Sequence, residues 1–190
     1  AKGQELSKPI KWVSTRPFWR YEQVQQGRFR EFYQTNIDVF GSSAPEADAE
    51  VLAVAADALT DLGLTGDDFE FRVSPRDILG GLVRALADDP EAVDATAAIR
   101  AVDKRAKVDN AEYVGLLSDA GLSRDTAREF DDLISGVETV DDLDAVAAAG
   151  DESVEDAVEN LRSVLAAADD FGAGEFCAVS LTTARGLDYY

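Results

Sequence analysis

Histidine and methionine are absent from the sequence, and cysteine occurs once, at Cys177. Without histidine, the chain cannot use an imidazole as a general acid or base, as the activator of a serine or cysteine nucleophile, or as a metal ligand. One cysteine cannot form an internal disulfide, so a reducing cytoplasm is the expected location, and Cys177 is expected to be a small buried hydrophobic residue. Any enzyme built on this chain must therefore depend on positioning and fixed charge.

Long apolar runs are also missing, since no run approaches the ~20 residues of a membrane-spanning helix. No membrane partner is therefore expected. The chain starts without methionine, and Tyr190 ends it inside an apolar motif. These two features predict a partial chain.

Lysine is scarce, with five residues against 13 arginines, and acidic residues outnumber basic ones by 38 to 18. The net charge of -20 is uneven: residues 1–40 carry seven basic and four acidic groups, whereas residues 41–190 carry 11 basic and 34 acidic groups. Such a surface repels nucleic acid at ordinary ionic strength, unless the protein works at high salt, where the Debye length is ~3 Å at 1 M. An acidic, lysine-poor surface resembles that of proteins from salt-loving microbes. We interpret it as an adaptation to the solvent and not as a clue to the substrate, and the expected source is a halophilic archaeon.

Secondary-structure patterns divide the chain into three zones. Residues 10–40 alternate aromatic or β-branched residues with polar ones around a polar loop, which predicts two antiparallel strands. A helix over 45–62 and a strand over 68–73 follow, and Ser74 is expected to cap the next helix. Residues 77–150 show only helical patterns, with Ser123 as an expected cap, and a further helix over 153–171 leads to a strand over 176–181. The predicted division is 1–78 for a catalytic core, 79–150 for a helical insertion and 151–190 for a return to the core.

The strongest candidate site lies on the second predicted strand. Because side chains alternate along a strand, a count by two places Phe32, Gln34, Asn36, Asp38 and Phe40 on one face. A face with that many polar groups is unusual for simple core. Phe18, Trp19 and Phe40 are nevertheless predicted to be core residues.

Two segments resemble a known family. Phe18-Trp-Arg20-Tyr-Glu22, followed by a loop with Arg28 and by Phe32, resembles the second signature motif of class II aminoacyl-tRNA synthetases. The sequence from Gly27 to Gly41 and the closing motif Arg185-Gly-Leu-Asp-Tyr-Tyr190 resemble histidyl-tRNA synthetase in particular. Two motifs in order, separated by an acidic helical insertion as in that family, are far more specific than one short match.

The resemblance implies an ATP site built largely from arginines. It assigns Arg20 to the α-phosphate, Arg28 to the outer phosphates and Phe32 to stacking on adenine, with Glu22 also in the ATP site. Arg185 resembles an arginine that takes a role other class II enzymes give to a metal ion, so Arg20 and Arg185 are the expected catalytic residues. Permanently charged, planar guanidinium groups suit these roles. Mg²⁺ is expected only together with the ATP phosphates, and no protein metal site is expected.

The resemblance also implies a histidine pocket. Its expected members are Gln34, Asp38, Arg185, Tyr189 and Tyr190. Many bacterial members of the family have Glu where Asp38 stands, and the missing methylene moves the carboxylate by about 1.5 Å, one carbon–carbon bond. The exact partner of Asp38 is therefore open, and so are the roles of Arg30, Glu31 and Asn36.

For the whole chain, the resemblance implies an α+β fold with a class II synthetase-like antiparallel sheet and flanking helices. A helical insertion interrupts this fold, and in this family the insertion faces the tRNA acceptor arm. The implied reaction activates histidine with ATP to histidyl-adenylate and transfers it to tRNA(His), in a cytoplasmic homodimer. The family's dimer motif, third motif and anticodon-binding domain are not in the sequence, so the isolated chain is expected to be inactive.

Two other interpretations stay open. The chain could belong to a synthetase-like regulatory subunit of ATP phosphoribosyltransferase. Such paralogues tend to lose the phosphate-binding arginines or the motif at Arg185–Tyr190. It could also be a helical interaction protein, in which the arginines are surface cations, Tyr189 and Tyr190 are core residues, and Glu22 is a solvated strand end. That interpretation gives no account of the polar strand face.

Overall fold

The computed structural model describes residues 7–21 and 23–184. The first two strands form an antiparallel hairpin, β1 (Ile10–Trp19) and β2 (Glu31–Phe40), whose register pairs Phe18 with Phe32 at one end and Ile10 with Phe40 at the other. Both strands are rich in aromatic and β-branched residues, which favour extended backbone. The predicted hairpin is confirmed.

Seven α-helices follow in the described part of the chain: α1 (Pro45–Asp61), α2 (Arg76–Leu86), α3 (Ala95–Lys104), α4 (Asn110–Asp119), α5 (Arg124–Ser135), α6 (Leu143–Ala149) and α7 (Glu152–Asp170). Short 3-10 helices cover Arg105–Lys107 and Gly174–Phe176. Side chains cap four of the α-helices, because the oxygens of Asp94, Asp109, Ser123 and Asp151 accept backbone N–H groups of the first turn.

The third and fourth strands, β3 (Phe71–Val73) and β4 (Cys177–Val179), form a separate parallel pair. The Ser180 N–H donates to the Val73 carbonyl at 3.1 Å and extends this ladder by one bond. Parallel strands need a long crossover, and helices α2 to α7 supply it here. The sequence patterns predicted these strands but not their parallel pairing.

Most of the core lies between helices α2 to α7. One apolar cluster joins buried residues from Ile78 to Ala184, including Leu82, Phe130 and Leu161. A smaller cluster, centred on Ala49, Ala168 and Phe176, lies where α1 packs against α7. The three-part division of the chain stays a prediction, and the larger cluster includes residues of both the expected insertion and the returning segment.

Some local predictions were wrong. Pro75, not Ser74, occupies the cap position of α2, because the Ser74 hydroxyl makes no cap bond and is buried without a partner among the described residues. Trp19 and Phe40 are 68% and 52% exposed, and Phe18 is half-buried. Among the described elements, α1 makes the most extensive contact with the hairpin, and it does not cover these side chains. Cys177 is half-buried, and this burial raises the pKa of its thiol.

None of the described helices is long and apolar enough to span a membrane.

Candidate active site

The register of the hairpin defines a face that we call the polar face. Directly paired residues of an antiparallel ladder point to the same side, so Arg16 lies beside Gln34 and Ser14 beside Asn36. Thr15 and Thr35 form the pair between these two, so their side chains point to the opposite side, where their hydroxyl oxygens lie 3.0 Å apart. The polar face therefore draws side chains from both strands.

An aromatic and cationic cluster closes the loop end of this face. Phe18 and Phe32 stack with ring centres 6.3 Å apart, and the guanidinium of Arg20 lies 5.0 Å from the centre of the Phe32 ring. The Arg20 N–H donates to the Arg30 carbonyl at 2.8 Å, so the ladder continues one step beyond β1 and fixes the backbone of Arg20. A cation over an aromatic face is attracted by the ring quadrupole. Arg20 and Phe32 are thus brought together, as their expected roles in one ATP site require.

The loop between the strands carries Arg28 at an exposed turn. Gln25 and Arg28 exchange two backbone hydrogen bonds of 3.0 and 3.3 Å, and Gly27 takes a φ of +76°, which the tight turn requires. Arg30, where the strand resumes, lies with its guanidinium 5.2 Å from the centre of the Tyr21 ring. The loop thus offers two arginines, one at its tip and one at its base.

Farther along the polar face, Gln34 and Asn36 are half-buried, and the Gln34 amide donates to the Asn36 side-chain oxygen. Asp38 is exposed and pairs with Trp12 across the ladder. An amide pair followed by a carboxylate can accept donors of a small ligand and can offer it N–H groups. The polar face therefore offers both donors and acceptors beside a cation and an aromatic ring.

Four of the predicted site residues, Glu22, Arg185, Tyr189 and Tyr190, lie outside the described residues. The chain that leads to Arg185 is well packed: Leu181 and Ala184 are buried, and the hydroxyl oxygens of Ser180 and Thr183 are 3.0 Å apart. This segment continues directly from the parallel pair β3–β4.

Arg16 and Ser14 are neighbours of the site that the sequence analysis missed. Alternation along a single strand does not reveal them, because it carries no information on the register between two strands. The register that pairs Phe18 with Phe32 is what sets Arg16 beside Gln34. The other side of the hairpin contacts α1 through an ion pair between Lys11 Nζ and Glu50 Oε1 at 2.6 Å.

Among the described residues, no group of three or more histidine, cysteine, aspartate or glutamate side chains could hold a metal ion. The donors of the polar face are amides and guanidinium groups, which suit anions and polar small molecules better than a protein-held cation.

Comparison with known proteins identifies the family. A family model described as histidyl-tRNA synthetase matches residues 2–190. A histidine--tRNA ligase of Halorubrum lacusprofundi is 89% identical over 190 residues, which are 100% of this chain and 43% of that protein. The chain thus spans less than half the length of this curated relative.

Solved structures share the fold. A histidyl-tRNA synthetase from Nostoc sp. PCC 7120 superposes with a TM-score of 0.80 at 23% identity, covering 100% of this chain and 44% of that one. A protein from Bacillus halodurans, described as an ATP phosphoribosyltransferase regulatory subunit/histidyl-tRNA synthetase, gives 0.76 at 19% identity, with 98% and 47% covered. The predicted α+β, class II synthetase-like fold is confirmed. With the family model matching nearly every residue, the chain belongs to the histidyl-tRNA synthetase family.

Proposed function

We propose that this chain forms part of the catalytic domain of an enzyme that activates histidine with ATP and transfers it to tRNA(His). One observation carries the proposal: a cation over an aromatic ring and a row of polar side chains share one hairpin, in a chain of this family. A pocket for an aminoacyl-adenylate needs this combination, because it must hold a base, a phosphate and a polar amino acid in line.

In the activation step, the carboxylate of histidine attacks the α-phosphorus of ATP and pyrophosphate leaves. Arg20 stabilises the charge on the α-phosphate oxygens, and Arg28, at the turn of the loop between the two strands, binds the outer phosphates. Phe32 stacks on adenine, and Glu22 completes the nucleotide site. Fixed cations and correct alignment supply most of the rate enhancement in such a reaction.

Gln34 and Asp38 bind the ammonium and imidazole of the substrate, with Tyr189 and Tyr190 closing the pocket. An imidazole carries one donor and one acceptor, so a pocket with matched polar groups rejects apolar side chains of similar shape strongly. Arg185 contacts the reacting carboxylate and phosphate and shares the catalytic role with Arg20. Mg²⁺, when bound together with ATP, would neutralise part of the charge on the phosphates.

The proposed partners of the full-length protein are histidine, ATP, tRNA(His) and a second copy of the same chain. The proposed setting is the cytoplasm of a halophilic organism. The halophilic source of the Halorubrum relative and the net charge of -20 support a halophilic organism.

Charging of tRNA tests the proposal. The full-length protein should attach labelled histidine to tRNA(His) in an ATP-dependent reaction, and Arg185→Ala should reduce it strongly. Charging that persists unchanged in Arg185→Ala would remove that residue from the mechanism, whereas no charging by the wild-type protein would contradict the whole proposal.

A second candidate function is regulation of ATP phosphoribosyltransferase, favoured by the description of the Bacillus halodurans structure with a TM-score of 0.76. The retained arginines at positions 20, 28 and 185 favour the ligase, because a regulatory subunit has no need to stabilise a reacting phosphate. Stimulation of a phosphoribosyltransferase by the protein, without tRNA charging, would favour the second candidate.

A further inference from the structure

Arg16 differs from the neighbouring cations of the hairpin in its lack of a partner. Lys11 on the same strand pairs with Glu50 at 2.6 Å, and Arg20 lies over the Phe32 ring. The exposed Arg16 side chain makes neither an ion pair nor a ring contact with any described residue. Carboxylates are abundant, with 38 acidic side chains against 18 basic ones, yet none in the described part of the chain pairs with Arg16. An internal ion pair therefore does not explain this arginine.

Arg16 lies directly across the ladder from Gln34, on the polar face. The Cβ atoms of directly paired residues are about 5 Å apart. Gln34 is half-buried and donates an amide hydrogen to the Asn36 side-chain oxygen, which leaves its own side-chain oxygen able to accept a hydrogen bond from a ligand. A ligand held at that oxygen is therefore within reach of the Arg16 guanidinium.

The charges of the polar face suit a free amino acid. Among the residue pairs of β1 and β2, this face carries one cation, Arg16, and one anion, Asp38. Asp38 is four residues beyond Gln34, or about 14 Å along the strand. In the proposed pocket, Gln34 and Asp38 bind the ammonium and the imidazole of histidine. The carboxylate shares a carbon atom with the ammonium, so it stays beside Gln34, where Arg16 supplies the opposite charge.

Arg16 and Arg20 stand on either side of Phe18 along the chain. All three residues alternate onto the same face, because the Arg20 N–H continues the ladder at the Arg30 carbonyl. The Cα atoms of the two arginines are about 14 Å apart in an extended chain, and two long side chains that point to one side can both approach a group between them. The carboxylate of histidine and the α-phosphate of ATP are both negative and must come into contact. A cation beside each of them reduces their repulsion.

We propose that Arg16 binds the α-carboxylate of histidine and is a further specificity-determining residue of the amino-acid pocket. The assignment rests on the proposed function. One carboxylate oxygen forms the bond to the α-phosphorus as the bond to pyrophosphate breaks, and the other becomes the carbonyl oxygen of the adenylate and remains at Arg16. The proposed contact of Arg185 is then with the attacking oxygen and the phosphate. A planar guanidinium matches a carboxylate, and at high salt a direct contact of this kind resists screening.

Three variants of the full-length protein test the assignment in histidine-dependent ATP–pyrophosphate exchange. Arg16→Gln removes the charge, and Arg16→Lys keeps the charge but not the planar fork. Lys11→Gln is the matched control, because it removes one cation from the same strand on the opposite face of the hairpin. Histidinol, which carries a hydroxymethyl group in place of the carboxylate, serves as a competitive inhibitor that cannot form the proposed ion pair.

The expected result is a KM for histidine at least about tenfold higher in Arg16→Gln, as for loss of one hydrogen-bonded charge pair, and a smaller rise in Arg16→Lys. The KM for ATP and the inhibition constant of histidinol should stay at their wild-type values in both, and Lys11→Gln should change none of the three constants. Unchanged inhibition by histidinol also shows that the variants fold.

Three outcomes would overturn the assignment. An equal rise in the inhibition constant of histidinol would mean that Arg16 acts on the shape of the pocket and not on the carboxylate. A rise confined to the KM for ATP would place Arg16 at the phosphates, and an unchanged KM for histidine in Arg16→Gln, or an equal rise in Lys11→Gln, would remove it from the pocket. If Arg16→Gln abolishes exchange, Arg16→Lys decides: a raised KM for histidine with normal inhibition by histidinol supports the assignment, and absence of exchange there too overturns it. Absence of exchange in the wild-type protein would refute the proposed function, and is thereby distinct from failure of the assignment.

Discussion

The guanidinium of Arg20 lies 5.0 Å from the ring centre of Phe32, at the end of a strand pair that also stacks Phe18 on Phe32. The arrangement places a permanent positive charge within reach of whatever stacks on that ring. For a nucleotide, the base and the charge of the phosphates are separated by the ribose. Phe32 can therefore contact the base while Arg20 contacts a phosphate of the same nucleotide only if the Arg20 side chain extends along the nucleotide.

Substitution of Phe32 by leucine should weaken ATP binding. Stacking of a base on an aromatic side chain contributes about 1–3 kcal/mol, so the KM for ATP in the exchange reaction should rise by roughly 5- to 150-fold. Tyr33→Leu is the control, because Tyr33 is the next residue, 76% exposed, and lies on the opposite side of the strand. A rise in Tyr33→Leu as large as in Phe32→Leu would argue against stacking on Phe32.

Asp38 should determine the affinity for histidine and not for ATP. Asp38→Asn removes a charge at nearly constant shape and should raise the KM for histidine by about tenfold, corresponding to loss of one charge-assisted hydrogen bond of about 1.5 kcal/mol. The KM for ATP should stay the same in the exchange assay. A change confined to ATP would move Asp38 out of the histidine pocket.

The cap of α7 should stabilise the fold in a pH-dependent way. The hydrogen bonds from the Ser153 side chain and from the Val154 N–H lower the pKa of Asp151 below its ordinary value of 3.8. The folded state thus favours the ionised form, so this stability is fully present above pH 3.8 and is lost as the pH falls through the lower pKa of the folded state. Asp151→Ala should reduce the melting temperature at pH 7 by about 2–4 °C, as for one helix cap in a domain of this size, and by less near pH 3.

Asp170→Ala is the matched control for the cap. Asp170 ends the same helix, where a negative charge is unfavourable, so its removal should leave the melting temperature unchanged or raise it. Thermal melts monitored by circular dichroism at the two pH values measure both variants. Equal losses in the two variants would show that the cap bonds of Asp151 are not the source of the effect.

The acidic surface should make the stability rise with salt. Repulsion among 38 acidic side chains, with only 18 basic ones, opposes folding at low ionic strength and is screened as salt is added. The melting temperature of the full-length protein should therefore increase between about 0.1 and about 2 M KCl, because the Debye length falls about fourfold over this range. A maximum at low salt would contradict the interpretation of the acidity as an adaptation to the solvent.

The hairpin, helix α1 and the helical character of residues 77–150 could be predicted, because they depend on local patterns, whereas only one of the two predicted caps is present. The alternation around Phe32 and Gln34 indicates a strand, and Ser123 begins α5 as expected. The parallel pairing of β3 with β4 could not be predicted, because about 100 residues separate the two strands and no local signal specifies their direction. Exposure of Trp19 and Phe40 depends on which elements cover the hairpin, and that is a property of the tertiary arrangement.

The candidate site was predictable in type but not in geometry. The resemblance to class II synthetases implied a phosphate contact for Arg20, a base contact for Phe32 and a contact with the amino acid for Gln34, and all three residues lie on one hairpin. The contact of Arg20 with Phe32 follows from the ladder step between Arg20 and Arg30, which no spacing rule supplies. The place of Arg16 beside Gln34 needed the register of the two strands.

ATP–pyrophosphate exchange with each of the 20 amino acids, measured on the full-length protein, tests the central claim most directly. The account predicts exchange with histidine alone, and a loss of at least about 100-fold in Arg20→Gln, comparable to removal of one group that stabilises transition-state charge. Arg72→Gln, which removes an exposed cation paired with Glu70 on β3, should exchange at the wild-type rate. Exchange with another amino acid, or histidine-dependent exchange that survives unchanged in Arg20→Gln, would contradict the account.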